Sequence, residues 1–325
     1  MNIEVFLFAH LLSLFLALVL DTLLGEPKRY HPLVAYGSLV NYLSAEFNIS
    51  ASNKVKLLMG GLAWGIAVIP LTAIVAYLHY ILVVQHEYIT AIIFLESVIL
   101  YCCIARKSLH QHVMAVYRPL SRGEVDKARQ AVGLIVSRDT ASLDKRGIRS
   151  AAIESALENG ADGIFAPIFW FLLLGAPAAL CYRLVNTLDA MWGYRNDKFF
   201  YFGRVAARAD DLMNWFPARL VAFSYSMLGS HRSGMQAWRD QAHKCASPNA
   251  GPVMAAGAGA LQIEVGGNAI YHGNLEQRPV LGIGAKPSDE DIVRSLQLVD
   301  KTLILWLVLS ALCTALFFFF WKIYG

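Results

Sequence analysis

The run TLILWLVLSALCTALFFFFW, residues 302–321, holds no charged side chain along its whole length. Roughly 20 apolar residues in a helix rise about 30 Å, the thickness of the hydrocarbon core of a bilayer. Three more runs read the same way. Residues 3–20 carry Glu4 and then no formal charge before Asp21, residues 57–84 carry none, and residues 88–105 carry only Glu96. The composition agrees. Of the 325 residues, 56% are hydrophobic and 16% charged, against about 45–50% and about 25% in soluble domains. Backbone inside hydrocarbon must satisfy its own hydrogen bonds, which a helix does. The runs predict an all-α, polytopic integral membrane protein with about four spanning helices, near 3–20, 57–84, 88–105 and 302–321, forming a single domain over 1–325. No basic residue precedes the first run and no A-x-A site follows it, so it is not read as a signal peptide.

Positive charge sets the expected orientation. Lys28, Arg29, Lys54 and Lys56 lie in the loop 21–56, ten Lys and Arg lie in 106–162, and twelve lie in 185–301; the turn 85–88 has none. Basic loops stay on the cytoplasmic side, which puts 21–56, 106–162 and 185–301 inside as a helical cytoplasmic body. The expected location is the cytoplasmic (inner) membrane. One apolar block, GIFAPIFWFLLLGAPAALCYRL at 163–184, has basic loops on both flanks and is broken by Gly175-Ala176-Pro177. A proline inside a helix loses a hydrogen bond and clashes with the turn before it. The block is therefore expected to be a re-entrant hairpin, with the alternative of two true spans, here and at 215–229. Residues 246–287, rich in Gly, Ala, Pro and Asn, predict tight turns and a closely packed small-residue helix.

Four polar clusters stand out in the loops. Glu154 and Glu158 are four apart, on one helical face, with Asn159 beside them and Asp162 one turn on. Such a face is a solvated surface or, with its hard oxygen ligands, a Mg²⁺ site shared with phosphate. Asn186 and Asp189 also share a face and are followed by Arg195 and Asn196. They are either a capped turn or an anion and cation site. Asp210 and Asp211, between Arg208 and Asn214 with Arg219 beyond, form internal ion pairs or a second metal site. Ser247-Pro248-Asn249-Ala250-Gly251 is a turn that is either structural or turns its N–H groups to a phosphate. The phosphate-loop, nucleophile-elbow, metalloprotease and dinucleotide-binding signatures are all missing. His110 and His112 point to different faces of one helix, which argues against a metal pair. The five cysteines contain no C-x-x-C and read as small buried hydrophobes in a reducing setting. A net charge of +4, spread along the chain, predicts no nucleic-acid partner.

Taken in order, these residues resemble the adenosylcobinamide-phosphate synthase family of cobalamin biosynthesis, the CobD/CbiB type. The likeness runs through Asp21, Gly25-Glu26-Pro27, His31-Pro32 and Gly37. It continues through Ser137-Arg138-Asp139-Thr140, Glu154, Glu158-Asn159, Asp162-Gly163 and Ala166-Pro167. Asn186-Thr187-Leu188-Asp189, Gly193-Tyr194-Arg195-Asn196, Ala207-Arg208, Asp210-Asp211, Pro217-Ala218-Arg219 and the 247–251 turn complete it.

The resemblance implies an ATP-dependent ligation that joins a carboxylate of adenosylcobyric acid to the amine of aminopropanol phosphate, or of a related amino alcohol. ATP is then a co-substrate and Mg²⁺ the cofactor. The partners are the corrinoid, the amino-alcohol phosphate, the lipid bilayer and other late cobamide-assembly enzymes. Our assignment makes Glu154, Glu158, Asn159, Asp162 and Asp189 catalytic. Asn186, Arg195, Asn196, Arg208, Arg219, Ser247 and Asn249 bind substrate and phosphate, and Glu158, Asp162, Asp210 and Asp211 bind metal. The chain departs from the family pattern at Pro252-Val253-Met254, where a Pro-Glu pair is usual, and at Glu264, where a base is common. This leaves a second class open, a non-catalytic, ligand-binding or sensory membrane relative like the AmpE proteins. The scarcity of ionisable residues in the spans argues against a corrinoid transporter.

Reporter fusions after residue 86 are expected to read outside, and fusions after 50, 130, 200 and 285 inside. An outside signal at 200 replaces the hairpin with two spans.

Overall fold

Each apolar run becomes a long helix. A computed structural model describes residues 3–26, 32–49, 52–84, 88–271 and 274–324; Pro27, Lys28, Arg29, His31 and most of the turn at 85–88 lie outside the described residues. Helix α1 is Ile3–Leu24, α2 Pro32–Phe47, α3 Asn53–Val84 and α4 Ile89–Cys103. There follow α5 (Arg106–Ser121), α6 (Val125–Val132), α7 (Lys145–Gly160), a π turn at Ala161–Phe165, α8 (Ala166–Leu174) and α9 (Ala176–Trp192). The chain continues through α10 (Arg204–Leu228), α11 (His231–Gln241), a 3₁₀ turn at Ala242–Lys244, α12 (Ala250–Leu261) and α13 (Glu290–Tyr324). Two short antiparallel strand pairs, Val265–Gly266 with Val280–Leu281 and Ala269–Tyr271 with Asn274–Glu276, lie between α12 and α13.

Among the described residues, five helical stretches are long and apolar enough to cross a membrane: Glu4–Leu24, Asn53–Val84, Ile89–Ser121, Lys145–Leu174 and Glu290–Ile323. Four contain the expected spans. The fifth arises because α7, the π turn and α8 follow one another without a gap, joining the acidic helix to the first arm of the expected hairpin. Only 11% of the α3 span and 6% of the α13 span are buried in protein. Their outer surfaces are rows of Leu, Ile and Phe, as lipid contact requires. The break falls where the sequence put it. Gly175, at φ 79°, ends α8, and Pro177 opens α9, where a missing N–H costs nothing; α8 and α9 pack against each other across it.

The chain divides into two compact units, residues 1–105, 166–214 and 310–325, and residues 106–165 and 215–309. In the first, α2, α3, α9 and the start of α10 enclose Tyr36, Val40, Leu188, Trp192 and Phe202. Gly60 makes this possible, since a Cβ there would stand 1.9 Å from the Phe202 carbonyl oxygen. In the second unit every residue of α12 is buried. Its small side chains let backbones approach. A Cβ on Gly259 would meet the Ser233 carbonyl of α11 at 2.5 Å, and one on Gly257 would strike Leu157 of α7.

The first unit also holds a feature that the low charge of the runs concealed. Glu96 on α4 is fully buried, yet accepts hydrogen bonds from His10 Nδ1 of α1 at 3.1 Å and His79 Nε2 of α3 at 2.9 Å. His10 donates its other ring proton to the carbonyl of Phe171, at 2.9 Å, one turn before the α8–α9 break. A buried carboxylate is tolerated in apolar surroundings when donors of this kind meet its oxygens. Breaking such a pair costs about 3–5 kcal/mol, because one charge stays buried without its partner. Glu96→Ala is therefore expected to lower the melting point in detergent strongly, whereas Glu96→Gln, which keeps an acceptor for His79, lowers it far less. Equal melting points for the two variants would show that the pairing contributes nothing.

Candidate functional site

The polar clusters of the sequence fall into two groups, one in each unit. In the first unit, α9 carries Tyr182, Asn186 and Asp189 at helical spacing on one face. On α10, Asp210 and Asn214 are four apart. Asn186 Nδ2 donates to one oxygen of Asp210 and Asn214 Nδ2 to the other, both at 3.1 Å. Tyr182 in turn donates to Asn214 Oδ1 at 2.9 Å and so fixes the orientation of that amide. Gly193 leaves room for the remaining acid, since a Cβ there would lie 2.0 Å from Asp189 Oδ1.

Three carboxyls thus share a partly dry site with little positive charge. Burial, and then the charges of Asp210 and Asp211, push the Asp189 carboxyl up to about 7. Burial also raises Asp210, against the pull of its two amides, and raises Asp211, against the pull of Arg195. Carboxyls held above their usual range mark sites that fold at a cost and are relieved by a cation. Among the described residues, no group of three or more His, Cys, Asp or Glu is arranged to hold a metal by itself. Mg²⁺ needs less, because one or two carboxylates plus substrate phosphates satisfy it. The oxygen donors of Asp210 and Asp211, completed by substrate phosphate, suit that ion.

Asn196 accepts from the backbone N–H of Phe199 at 3.0 Å and holds a turn. Arg208 is exposed, and it is Arg195, not Arg208, whose charge acts on Asp211.

In the second unit, Glu154 is buried and fully engaged. Its Oε1 takes hydrogen bonds from Arg138 at 3.2 Å and Ser150 at 2.8 Å, and its Oε2 takes one from Arg278 at 2.7 Å. Ser150 also accepts from the Gly266 N–H at 2.6 Å, which ties α7 to the first strand pair. Glu158 and Asp162 are half-buried. Asp162 sits in the π turn, a local widening that recurs at functional sites, and its charge reaches Tyr225. Asn159 donates to Ser155 at 2.9 Å.

The 247–251 turn is tied to Arg219. Ser247 Oγ accepts from the N–H of Asn249 at 3.3 Å and of Ala250 at 3.1 Å, and Asn249 Oδ1 accepts from Arg219 at 3.1 Å. Pro252, Val253 and Met254, where the family pattern is left, are buried in the first turn of α12. His110 Nε2 donates to Asp300 Oδ1 at 3.1 Å.

Sequence reading therefore found Asp189, Asp210 and Asp211 as separate clusters that the fold brings together. It missed Arg278 and Ser150, whose pairing with Glu154 has no local signal. Arg138, inside Ser137-Arg138-Asp139-Thr140, was legible only as part of a motif.

The sign of the Asp189 shift gives a test. A carboxyl raised by folding favours the folded state while protonated. That stability is complete below its ordinary value of about 4 and is lost as the pH rises through about 7. Asp189→Asn is expected to melt higher than the native chain at pH 8 and equally near pH 4. Added Mg²⁺ is expected to close the gap at pH 8 by stabilising the native chain alone. A melting curve that ignores Mg²⁺ removes the cation from this cluster.

Comparison with known proteins places the chain. A family model described as CobD/Cbib protein matches residues 14–299. The chain is 50% identical over 298 residues to the cobalamin biosynthesis protein CobD of Stutzerimonas stutzeri, with 91% of this chain and 95% of that protein covered. It is 46% identical over 311 residues to the protein of that name in Chromobacterium violaceum, with 91% and 94% covered. It is 36% identical to the probable cobalamin biosynthesis protein CobD of Pyrococcus furiosus, with 93% and 98% covered. No solved structure matches.

Proposed function

Because the chain belongs to the CobD/CbiB family, we propose that it works in cobalamin biosynthesis as an ATP-dependent ligase joining adenosylcobyric acid to aminopropanol phosphate or a related amino alcohol. The first half of this reading is supported by the relatives' names. The ligation is our extension, and the observation that carries it is the Asp189–Asp210 pair, two close carboxyls of unequal environment with one raised to about 7.

A carboxylate is a poor electrophile. In the proposed reaction its oxygen attacks the terminal phosphorus of ATP, ADP leaves, and an acyl phosphate results. The amino alcohol arrives as an ammonium and must lose a proton before it attacks. A base with a pKa near neutrality does this best, and Asp189 has that property. The amine then attacks the acyl carbon, phosphate leaves, and the amide remains. Asp210 is held by Asn186 and Asn214, so it keeps the charge that raises Asp189. In the second unit Arg219, Ser247 and Asn249 are assigned to phosphate, and in the first unit Arg195 and Arg208 are assigned the same role. Mg²⁺, when bound, would neutralise charge on the phosphates; Asp210 and Asp211 would hold it in the first unit, and Glu158 and Asp162 offer separate oxygen ligands in the second. Glu154, locked between two guanidinium groups, positions α7 and its neighbour Glu158. Loops 106–162 and 185–301 are assigned to the cytoplasmic face of the inner membrane, where ATP is available.

Purified protein given adenosylcobyric acid, aminopropanol phosphate, ATP and Mg²⁺ is expected to yield the amide, detected by mass. With product in hand, kcat/KM is expected to rise with pH through about 7, and Asp189→Asn to lose that limb along with about 10²–10⁴-fold in rate. Glu158→Gln is expected to fold and to lose turnover at saturating substrate. Activity within about threefold of native, less than 1 kcal/mol of barrier, assigns Glu158 to the scaffold.

A further inference from the structure

The turn at 247–251 borders an open cavity of about 460 Å³ whose walls belong wholly to the second unit. Arg219 enters from α10, Trp238 and Arg239 from α11, His243 from the 3₁₀ turn, and Cys245 and Pro252 close the wall. Three lining side chains are basic and no lining residue is acidic. Such a wall repels cations and attracts anions.

The donors are counted residue by residue. A guanidinium has five N–H groups. Arg219 gives two to the Trp215 carbonyl and Asn249 Oδ1 and one to the Pro248 carbonyl, and two remain. Its Cζ sits over the Trp215 ring, 4.3 Å from the centroid, so ring and hydrogen bonds hold the group in place before any ligand arrives. Burial alone acts on its charge, with no carboxylate to offset it. Arg239 pairs with Asp240 through Nε at 2.8 Å, which leaves both terminal nitrogens. The Cys245 thiol in the wall is raised by burial and also feels Arg278, Glu158 and Glu154. The carboxylate face of α7 is thus within electrostatic reach of the cavity.

We propose that this cavity binds the phosphate group of a phosphorylated co-substrate, with Arg239 and His243 as ligands beside Arg219 and the indole of Trp238 against the organic part. Two guanidinium groups and an imidazole from three elements match the several oxygens and the charge of a phosphate ester better than a single carboxylate, which one guanidinium satisfies. The volume suits a small ligand. The identity of the ester rests on the ligation reading, and it comes from one of two sources, the polyphosphate of ATP or the amino-alcohol phosphate.

Calorimetric titration of the full-length protein in detergent with ATP, inorganic pyrophosphate, aminopropanol phosphate and adenosylcobyric acid separates these. Arg239→Gln and His243→Gln are expected to weaken ATP and pyrophosphate, or aminopropanol phosphate, by tenfold or more. Adenosylcobyric acid binding and the melting point stay as in the native chain, because both side chains are exposed. Whichever ligand is lost identifies the source. Unchanged affinity for every phosphate ligand, no phosphate binding by the native chain, a loss confined to adenosylcobyric acid, or a uniform loss with a lowered melting point overturns the assignment. Binding is read without turnover. Phosphate affinity that depends on Arg239 without any amide product keeps the cavity and removes the ligation. Amide formation with native Michaelis constants in both variants does the reverse.

Discussion

A carboxylate taken out of water must find positive charge or give up its own, and this molecule meets that demand in three ways. Glu96 accepts hydrogen bonds from histidines of two other helices. Glu154 is clamped between Arg138 and Arg278. Asp210 has the amides of Asn186 and Asn214, and Asp189 has mainly the neighbouring carboxyls of Asp210 and Asp211. The first two are settled within the chain, so they hold helices together. The third is not, and it is the one whose carboxyls sit above their usual range. The same constraint that stabilises the scaffold therefore singles out where an external cation or an ammonium is wanted.

The helix break at Gly175 obeys a related rule. Carbonyls loosened at a break need donors where water is scarce. The buried carbonyl of Phe171 accepts from the N–H of Gly175 at 2.7 Å and from His10 at 2.9 Å. The triad of His10, Glu96 and His79 thus has a structural purpose that accounts for polar side chains in otherwise apolar helices. Their presence does not require a transport pathway.

Close packing of small residues does a comparable job in the second unit. The glycines and alanines of α12 bring α7 and α11 near enough for the Ser247 turn, Arg219 and the α11 basic residues to border one cavity. Pro252, Val253 and Met254 take part in this packing with their side chains buried. An ionised Glu at such a position would need a partner of its own. The departure from the family pattern is compatible with a well-formed helix start, since a proline fits the first turn without losing a bond.

What the sequence determined by itself was local. Uninterrupted apolar length marked the spans, Gly175-Ala176-Pro177 marked the break, and four-residue spacing marked which acids share a helical face. Each of these depends on neighbours a few residues away. Partners were decided only by tertiary structure. Glu96 meets a histidine 86 residues away, Glu154 an arginine 124 residues away, and Asn186 an aspartate 24 residues away. No periodicity encodes such meetings, because packing sets them. For that reason Glu154, alike in sequence to Glu158, became a buried strut. Arg208 stayed in solvent, while Trp238, Arg239 and His243, unremarkable in the chain, came to line a cavity.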